Sequence, residues 1–379
     1  MKIKNFSFNS NNQNWHIEKI YFDDLNLLVG ASGVGKTRIL RALDLICTVA
    51  KGKIQKLDDV EWSINFSHLG KDYRWNLKAS NPIDETFPSD TEQSEIFSES
   101  LVEFKDGSEI EILYRSNSES RLDHKKLPKL KKTESAIVLL SEEESISPIA
   151  EAFKRFMFDE LPQQALVFMS SDLNSFPIIR GSSKSPRIQE FKESYANAPT
   201  VIKGFFLQKL YPNEFDKVQT TYIEIFPNVQ EIGVEVTLGP GKEYSLLFQI
   251  KESGLENWIS QNNISSGMLR VLIYLIEILS APEESVIVID EFENSLGINC
   301  MPELTEFILE RSPQLQFILT SHHPYIINSI PWTNWQVVSR VNNKISTKKT
   351  TDIPELETAS SLDKFTQLID FLEYEGQIA

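Results

Sequence analysis

Apolar residues change their spacing several times along this chain, and each change predicts an element. Leu25-Asn26-Leu27-Leu28-Val29 is a compact apolar run that stops at Gly30, and Ile17 to Phe22 alternates, so residues 1–30 read as short strands. Over 37–50 the spacing becomes helical, with Ile39, Leu40, Leu43, Ile46 and Cys47 on one face. Residues 60–80 and 101–115 read as hairpins turning at Gly70-Lys71-Asp72 and at Asp106-Gly107. The acidic, Ser/Thr-rich stretch Asp84 to Glu99 reads as an exposed loop, as do 116–134 and 170–199. A strand is expected over 136–141, an amphipathic helix over 147–160, a helix over 201–224, and strands over 229–238 and 243–250. Further on come a very apolar helix from Val271 to Leu279, a helix near 302–311 and a last one from Leu362 to Tyr374. The chain shows no internal repeat and no sustained heptad pattern.

This order of elements predicts an α/β protein. Its 379 residues suit one large domain or two joined lobes. The expected division is a strand lobe over 1–140, an inserted helical lobe over 140–225 and a last lobe over 226–379. The apolar share of 41% is enough for a real core. The two cysteines, Cys47 and Cys300, form neither a disulfide framework nor a CxxC pair, which points to a reducing cytoplasm. Met1-Lys2-Ile3-Lys4-Asn5 lacks the apolar stretch of a signal peptide, and no apolar run is long enough to span a bilayer. The net charge of −16 opposes binding to duplex DNA. Lys125, Lys126, Lys129, Lys131 and Lys132 read either as a solvated loop or as a contact for nucleic acid or an acidic partner.

The candidate chemistry lies in four places. Gly30-Ala31-Ser32-Gly33-Val34-Gly35-Lys36-Thr37 matches the G-x-x-x-x-G-K-[ST] phosphate-binding loop, between an apolar strand and an amphipathic helix. The glycines Gly30, Gly33 and Gly35 let successive N–H groups, with Ser32 among them, point into one concavity. Lys36 adds charge near the β and γ phosphates, and Thr37 offers a hydroxyl to Mg²⁺. Ser285-Val286-Ile287-Val288-Ile289 is apolar throughout, as in a strand buried on both faces, and ends in Asp290-Glu291. Asp290 is placed to hold Mg²⁺ and Glu291 to polarise an attacking water. Ser265-Ser266-Gly267 opens the helix after Ile264, either as an ordinary N-cap or as a second anion site for a nucleotide on a neighbouring subunit. Phe317-Ile318-Leu319-Thr320-Ser321-His322-His323-Pro324 is a second buried strand ending in a histidine that can hydrogen-bond a γ-phosphate.

In this order the four motifs resemble the head of an ABC-type ATPase, and in detail its SMC-like and OLD-like branch: Ser265-Ser266-Gly267 with Leu269-Arg270, Asp290-Glu291-Phe292-Glu293-Asn294-Ser295-Leu296, and Thr320-Ser321-His322-His323-Pro324. The resemblance implies a P-loop ABC ATPase head with an N-terminal antiparallel strand lobe and an inserted helical lobe. ATP and Mg²⁺ would be held by Gly30, Ser32, Gly33, Gly35, Lys36, Thr37 and Asp290, with Glu291 as catalytic residue and His322 as switch. It also implies that Ser265, Ser266 and Gly267 complete the site of a partner copy in an ATP-dependent dimer. Stand-alone heads of this kind resemble the ATPase components of bacterial anti-phage defence systems, in which a separate effector does the damage. The alternative from another class is a DNA-binding ATPase of repair or chromosome maintenance, similar to RecF or SMC.

The chain departs from the common pattern at Ser266 and Met268, and at Gly297-Ile298, where many relatives carry His-Pro. About 55 residues follow Pro324, too few for the Toprim nuclease of OLD enzymes, and Asp363, Asp370 and Glu373 read as a solvated face. The five histidines make no HExxH or Cys/His metal pattern, and there is no G-x-S-x-G elbow.

Overall fold

The computed structural model describes residues 1–53, 57, 59–80, 94–158, 167–169, 187–238, 244–356 and 367–368. In chain order the elements are β1 (Lys2–Ser10), β2 (Trp15–Tyr21), β3 (Leu25–Val29), α1 (Lys36–Ala50), β4 (Val60–His68), β5 (Lys71–Ser80), β6 (Glu95–Lys105), β7 (Ser108–Arg115), β8 (Ser120–Leu122) and β9 (Lys125–Lys126). Next come α2 (Ala136–Leu139), α3 (Ser147–Lys154), β10 (Phe156–Phe158), β11 (Val167–Met169), α4 (Ile188–Ser194), α5 (Thr200–Leu210), α6 (Pro212–Ile225), β12 (Val229–Leu238), β13 (Tyr244–Glu252) and β14 (Ile259–Ser260). The last are α7 (Ser266–Ser280), β15 (Val286–Ile289), α8 (Met301–Arg311), β16 (Gln316–Thr320), α9 (Pro324–Ser329), β17 (Trp335–Val341) and β18 (Lys344–Lys349). The α/β class expected from the sequence is the class the chain adopts.

The chain divides into two units: Met1–Phe158 with Glu284–Phe292 and Ser312–Ala379, and Asp159–Glu283 with Glu293–Arg311. The first unit carries a 14-stranded sheet in the order β10-β15-β16-β3-β17-β18-β2-β1-β4-β5-β6-β7-β8-β9. β10, β15, β16, β3 and β17 run parallel. β3, β15 and β16 are buried at every position, as strands covered on both faces must be. The N-terminal strands pair antiparallel, and β4 and β5 alternate, turning Trp62, Ile64, Phe66, Tyr73, Trp75 and Leu77 inward. These side chains share a core with Ile39, Leu43 and Ile46 of α1. Within it Trp62 meets Trp75 edge-on at 5.4 Å, and Phe153 of α3 meets Phe66 at 5.1 Å. Cys47 lies in this core, and burial pushes its thiol pKa far up; the buried Cys300 of the second unit is raised for the same reason.

Three buried amides tie the starts of the parallel strands. Gln316 donates to the Ile3 and Asp23 carbonyls and accepts from Ile3 N–H, Gln336 donates to Tyr21 O and Asn26 Oδ1, and Asn26 donates to Phe317 O. Asn26, the polar interruption of an otherwise apolar run, is thus satisfied across three strands.

In the second unit β11, β13 and β12 form a sheet with β14 on β13, and α5 packs close at Gly204, where a Cβ would approach Phe248 to 2.9 Å. The buried Lys203 pairs with Glu277 of α7 at 2.6 Å, and the Tyr222 hydroxyl of α6 donates to Met268 O at 3.2 Å. Among the described residues no helix is long and apolar enough to cross a membrane.

Several expectations are corrected. Glu95–Glu99 are strand, not loop; residues 84–93 of that stretch lie outside the described residues. Residues 116–134 include the short hairpin of β8 and β9, and Lys131 and Lys132 there are paired with Glu134 and Glu95. Residues 136–139 are helix, not strand, because Ser135 caps them by accepting from Ile137 N–H and Glu99 accepts from Ala136 N–H. The helix expected over 147–160 ends at Lys154, and Phe156–Phe158 join the sheet beside β15. The stretch 170–199 contains α4; its residues 170–186 lie outside the described set. The helix over 201–224 is two helices, broken at Tyr211 before Pro212, which has no N–H to continue it. Asp363, Asp370 and Glu373 lie outside the described residues.

Glu99 shows how much one buried acid can hold. It is 1% exposed and accepts from Trp75 Nε1, the Ser135 hydroxyl, Ala136 N–H and Arg115 Nη1. Arg115 in turn donates to the carbonyls of Lys131 and Glu134. Glu99→Ala strips the acceptor from four donors and leaves Arg115 buried without its counter-charge, so urea denaturation is expected to show a loss of about 3–5 kcal/mol. Replacing the exposed Glu109 in the same way should cost less than about 1 kcal/mol.

Candidate functional site

Parallel strands end on the same side of their sheet, so the segments leaving β15, β16 and β3 are gathered along one edge. Their register fixes the alignment. Ile289 lies beside Leu319 and Thr320 beside Leu28, with the three strands in the order β15-β16-β3. Asp290 and Glu291 therefore come after β15, Ser321 and His322 after β16, and the glycine-rich loop after β3, in adjoining rows about 5 Å apart. The structure brings together Gly30, Ser32, Gly33, Gly35, Lys36, Thr37, Asp290, Glu291 and His322 at one end of one unit.

The loop turns into α1 through Gly35, the residue before the helix, at φ 109° and ψ 19°. A side chain there would be strained, and its Cβ would also come within 2.5 Å of Ile345. Lys36 is 6% exposed, and its ammonium donates to the carbonyls of Gly30 at 2.7 Å and Ala31 at 2.9 Å, so the lysine is folded over its own loop. Ser32 and Gly33 are exposed and Thr37 is half-buried. Beside Thr37, the Arg38 guanidinium lies over the Trp15 indole at 5.7 Å, and that indole stacks on Phe8.

At the end of β15 the backbone turns sharply, and Glu291 takes φ 49°, a left-handed conformation uncommon for a glutamate. Asp290 is half-buried and Glu291 exposed. Sequence reasoning gave no role to Thr320, the last residue of β16. Its hydroxyl donates to Asp290 Oδ1 at 2.6 Å and receives the Glu291 N–H at 2.7 Å. The available signal was a hydroxyl at the end of a strand buried on both faces, where it has to find protein partners. The two histidines differ. His323 caps α9, its Nδ1 accepting from Tyr325 N–H at 3.2 Å, while His322 is exposed. Among the described residues no group of three or more His, Cys, Asp or Glu side chains could hold a metal by itself.

Ser265, Ser266 and Gly267 belong to the second unit. Ser265 caps α7, its hydroxyl accepting from Met268 N–H at 3.3 Å, and both serines are exposed. Gly267 packs against the loop of Asn294 and Ser295; a Cβ on it would lie 2.7 Å from the Ser295 carbonyl oxygen, and Ser295 is itself left-handed at φ 61°. Arg270 is buried and donates to the Tyr274 hydroxyl at 2.8 Å.

The family described as "AAA domain, putative AbiEii toxin, Type IV TA system" matches residues 25–328 of this chain. No curated protein matches. Among solved structures the chain is similar to an SMC head bound to the C-terminal winged-helix domain of ScpA, at 12% identity over 92% of this chain and 98% of that one, with a TM-score of 0.47. It is similar to the SMC head domain from Thermotoga maritima at 13% identity over 92% and 99%, with a TM-score of 0.42. A third is an SMC head with an extended coiled coil bound to the C-terminal domain of ScpA derived from Pyrococcus furiosus, at 12% identity over 98% and 99%, with a TM-score of 0.44.

The contact at Gly267 is testable without any ligand. Gly267→Ala drives a methyl group into the Ser295 backbone and is expected to lower stability by about 1–3 kcal/mol in thermal denaturation. Ser266→Ala, at the exposed neighbour, is expected to stay within about 0.5 kcal/mol of the parent.

Proposed function

The chain belongs to that family of AAA domains, and we propose that it is an ATPase whose ATP sites are shared between two copies and whose output is a change of assembly. The observation that carries this reading is the alignment of the glycine-rich loop, the Asp-Glu pair and His322 at the ends of three adjoining parallel strands. Loop N–H groups and the N-terminus of α1 receive the phosphates. Lys36 exchanges the Gly30 and Ala31 carbonyls for phosphate oxygens, an exchange of acceptors for a charge already desolvated. Thr37 and Asp290 fit the small share of ligands that Mg²⁺ takes from protein when phosphate and water supply the rest. When bound, the ion neutralises charge on the β and γ oxygens. Glu291, exposed at the turn, orients and polarises the attacking water, and His322 hydrogen-bonds the γ-phosphate and registers its loss.

Ser265, Ser266 and Gly267 supply the second wall of the site in a partner copy, with the exposed N-terminus of α7 as the anion-facing surface. ATP closes such a dimer and hydrolysis opens it. The output is directed at a separate effector protein in an anti-phage defence system, a reading that rests on the resemblance of stand-alone heads to the ATPase components of such systems.

A second reading, DNA binding in repair or chromosome maintenance, is favoured by one observation. Lys125, Lys126 and Lys129 are exposed, and none has an acid within ion-pair distance among the described residues, unlike Lys131 and Lys132 beside them.

Light scattering with and without ATP tests the first reading. Glu291→Gln is expected to keep ATP binding, lose at least about 100-fold in turnover and accumulate an ATP-dependent dimer; Lys36→Ala is expected to bind no ATP and to ignore it in sizing. Glu291→Gln protein that binds ATP and stays monomeric refutes the shared site. For the second reading, changing Lys125, Lys126 and Lys129 to Ala should weaken DNA binding and lower its salt slope by about 2–3; an unchanged slope rules that face out.

A further inference from the structure

We propose that Thr320 is the positioning residue of the Asp290-Glu291 turn, setting the cation-holding and water-activating groups through a single hydroxyl. The inference rests on reading this site as one that hydrolyses ATP. Thr320 is 1% exposed, so water offers no substitute for the bonds it makes. Its hydroxyl is used in both senses, donating to Asp290 Oδ1 and accepting from Glu291 N–H. Its carbonyl accepts from Phe292 N–H at 3.0 Å, and the Phe292 ring is fully buried. One residue on the neighbouring strand thus fixes three consecutive residues after β15.

The consequences differ for the two acids. With Oδ1 engaged by Thr320, rotation of the Asp290 carboxylate is restrained, and that would set how it meets a cation. Glu291 sits at φ 49°, a conformation that persists only where its surroundings impose it. Its N–H bond to the Thr320 hydroxyl is the local restraint that does so. On its other side Thr320 pairs with Leu28 of β3, two residues before the glycine-rich loop. The chain then runs on through Ser321, whose hydroxyl accepts from His323 N–H, with His322 between them. The strand end that presents His322 is therefore the same strand end that holds the acids in place. Groups that orient a metal-holding carboxylate from behind commonly matter about 10–100-fold in metal affinity or activity.

Valine has the shape and β-branch of threonine without the hydroxyl, and serine keeps the hydroxyl. Thr320→Val and Thr320→Ser are compared with the parent protein in three measurements: amide exchange at Glu291, ATP binding in EDTA, and ATP hydrolysis titrated with Mg²⁺. The expected Thr320→Val protein exchanges the Glu291 amide at least about 10-fold faster and binds ATP in EDTA within about threefold of the parent. It also needs about 10–100-fold more Mg²⁺ for half-maximal hydrolysis, with kcat reduced by a similar factor. Thr320→Ser is expected to restore each value to within about threefold, which a purely space-filling role would not produce. Thr320→Val with parent-like exchange at Glu291, or Thr320→Ser as impaired as Thr320→Val, overturns the proposal. A parent protein that hydrolyses no ATP defeats the reading of the site, while the exchange comparison still decides whether the hydroxyl holds the turn.

Discussion

A strand covered on both faces can carry no chemistry along its length. β3, β15 and β16 are such strands, and every side chain from end to end of each is withdrawn from water. Polar function is confined to where the backbone leaves the sheet, and the two ends are used differently. At the starts, the buried amides spend their N–H groups on neighbouring segments of the fold: Asn26 on Phe317 O, Gln316 on Ile3 O and Asp23 O, and Gln336 on Asn26 Oδ1 and Tyr21 O. At the finishes, Gly30, Asp290 and Ser321 begin segments that bring Ser32, Glu291 and His322 to the surface. The site is the remainder left when a parallel sheet has been packed.

This explains which parts of the molecule were legible beforehand. A buried strand betrays itself by an unbroken apolar run, so the positions of the glycine-rich loop, the Asp-Glu pair and the histidine could be set by the runs that precede them. The hairpins of β4 with β5 and of β6 with β7 were legible because one-sided burial leaves a period of two and because Gly70 and Gly107 mark their turns. The break at Pro212 was a local signal that the apolar periodicity of α5 and α6 outweighed.

The features that stayed hidden depend on partners distant in sequence. Ala136 to Leu139 is an apolar tetrapeptide with strand-like composition; it is a helix because Ser135 and Glu99 receive its first N–H groups, and Glu99 is 37 residues away from Ala136. Glu99 itself, in an acidic stretch, carried no mark of a buried carboxylate that holds four donors. Thr320 is similar: its importance lies in a register between two strands, and one sequence gives no register. Phe156–Phe158 extended the apparent helix before them, and only the edge of β15 offered them a place in the sheet. In each case local propensity was overruled by a hydrogen bond or a strand edge that the fold brings from elsewhere.

The burial of Cys47 and Cys300 has a use of its own. Both thiols are shielded, and burial raises both against forming thiolate, so alkylating reagents find no nucleophile while the native packing holds. Each cysteine then acts as a built-in clock. Cys47 lies on the face of α1 that covers the sheet, and Cys300 lies just before α8 in the other unit. The rate at which each becomes labelled reports how often its own unit opens, without any probe having been added to either.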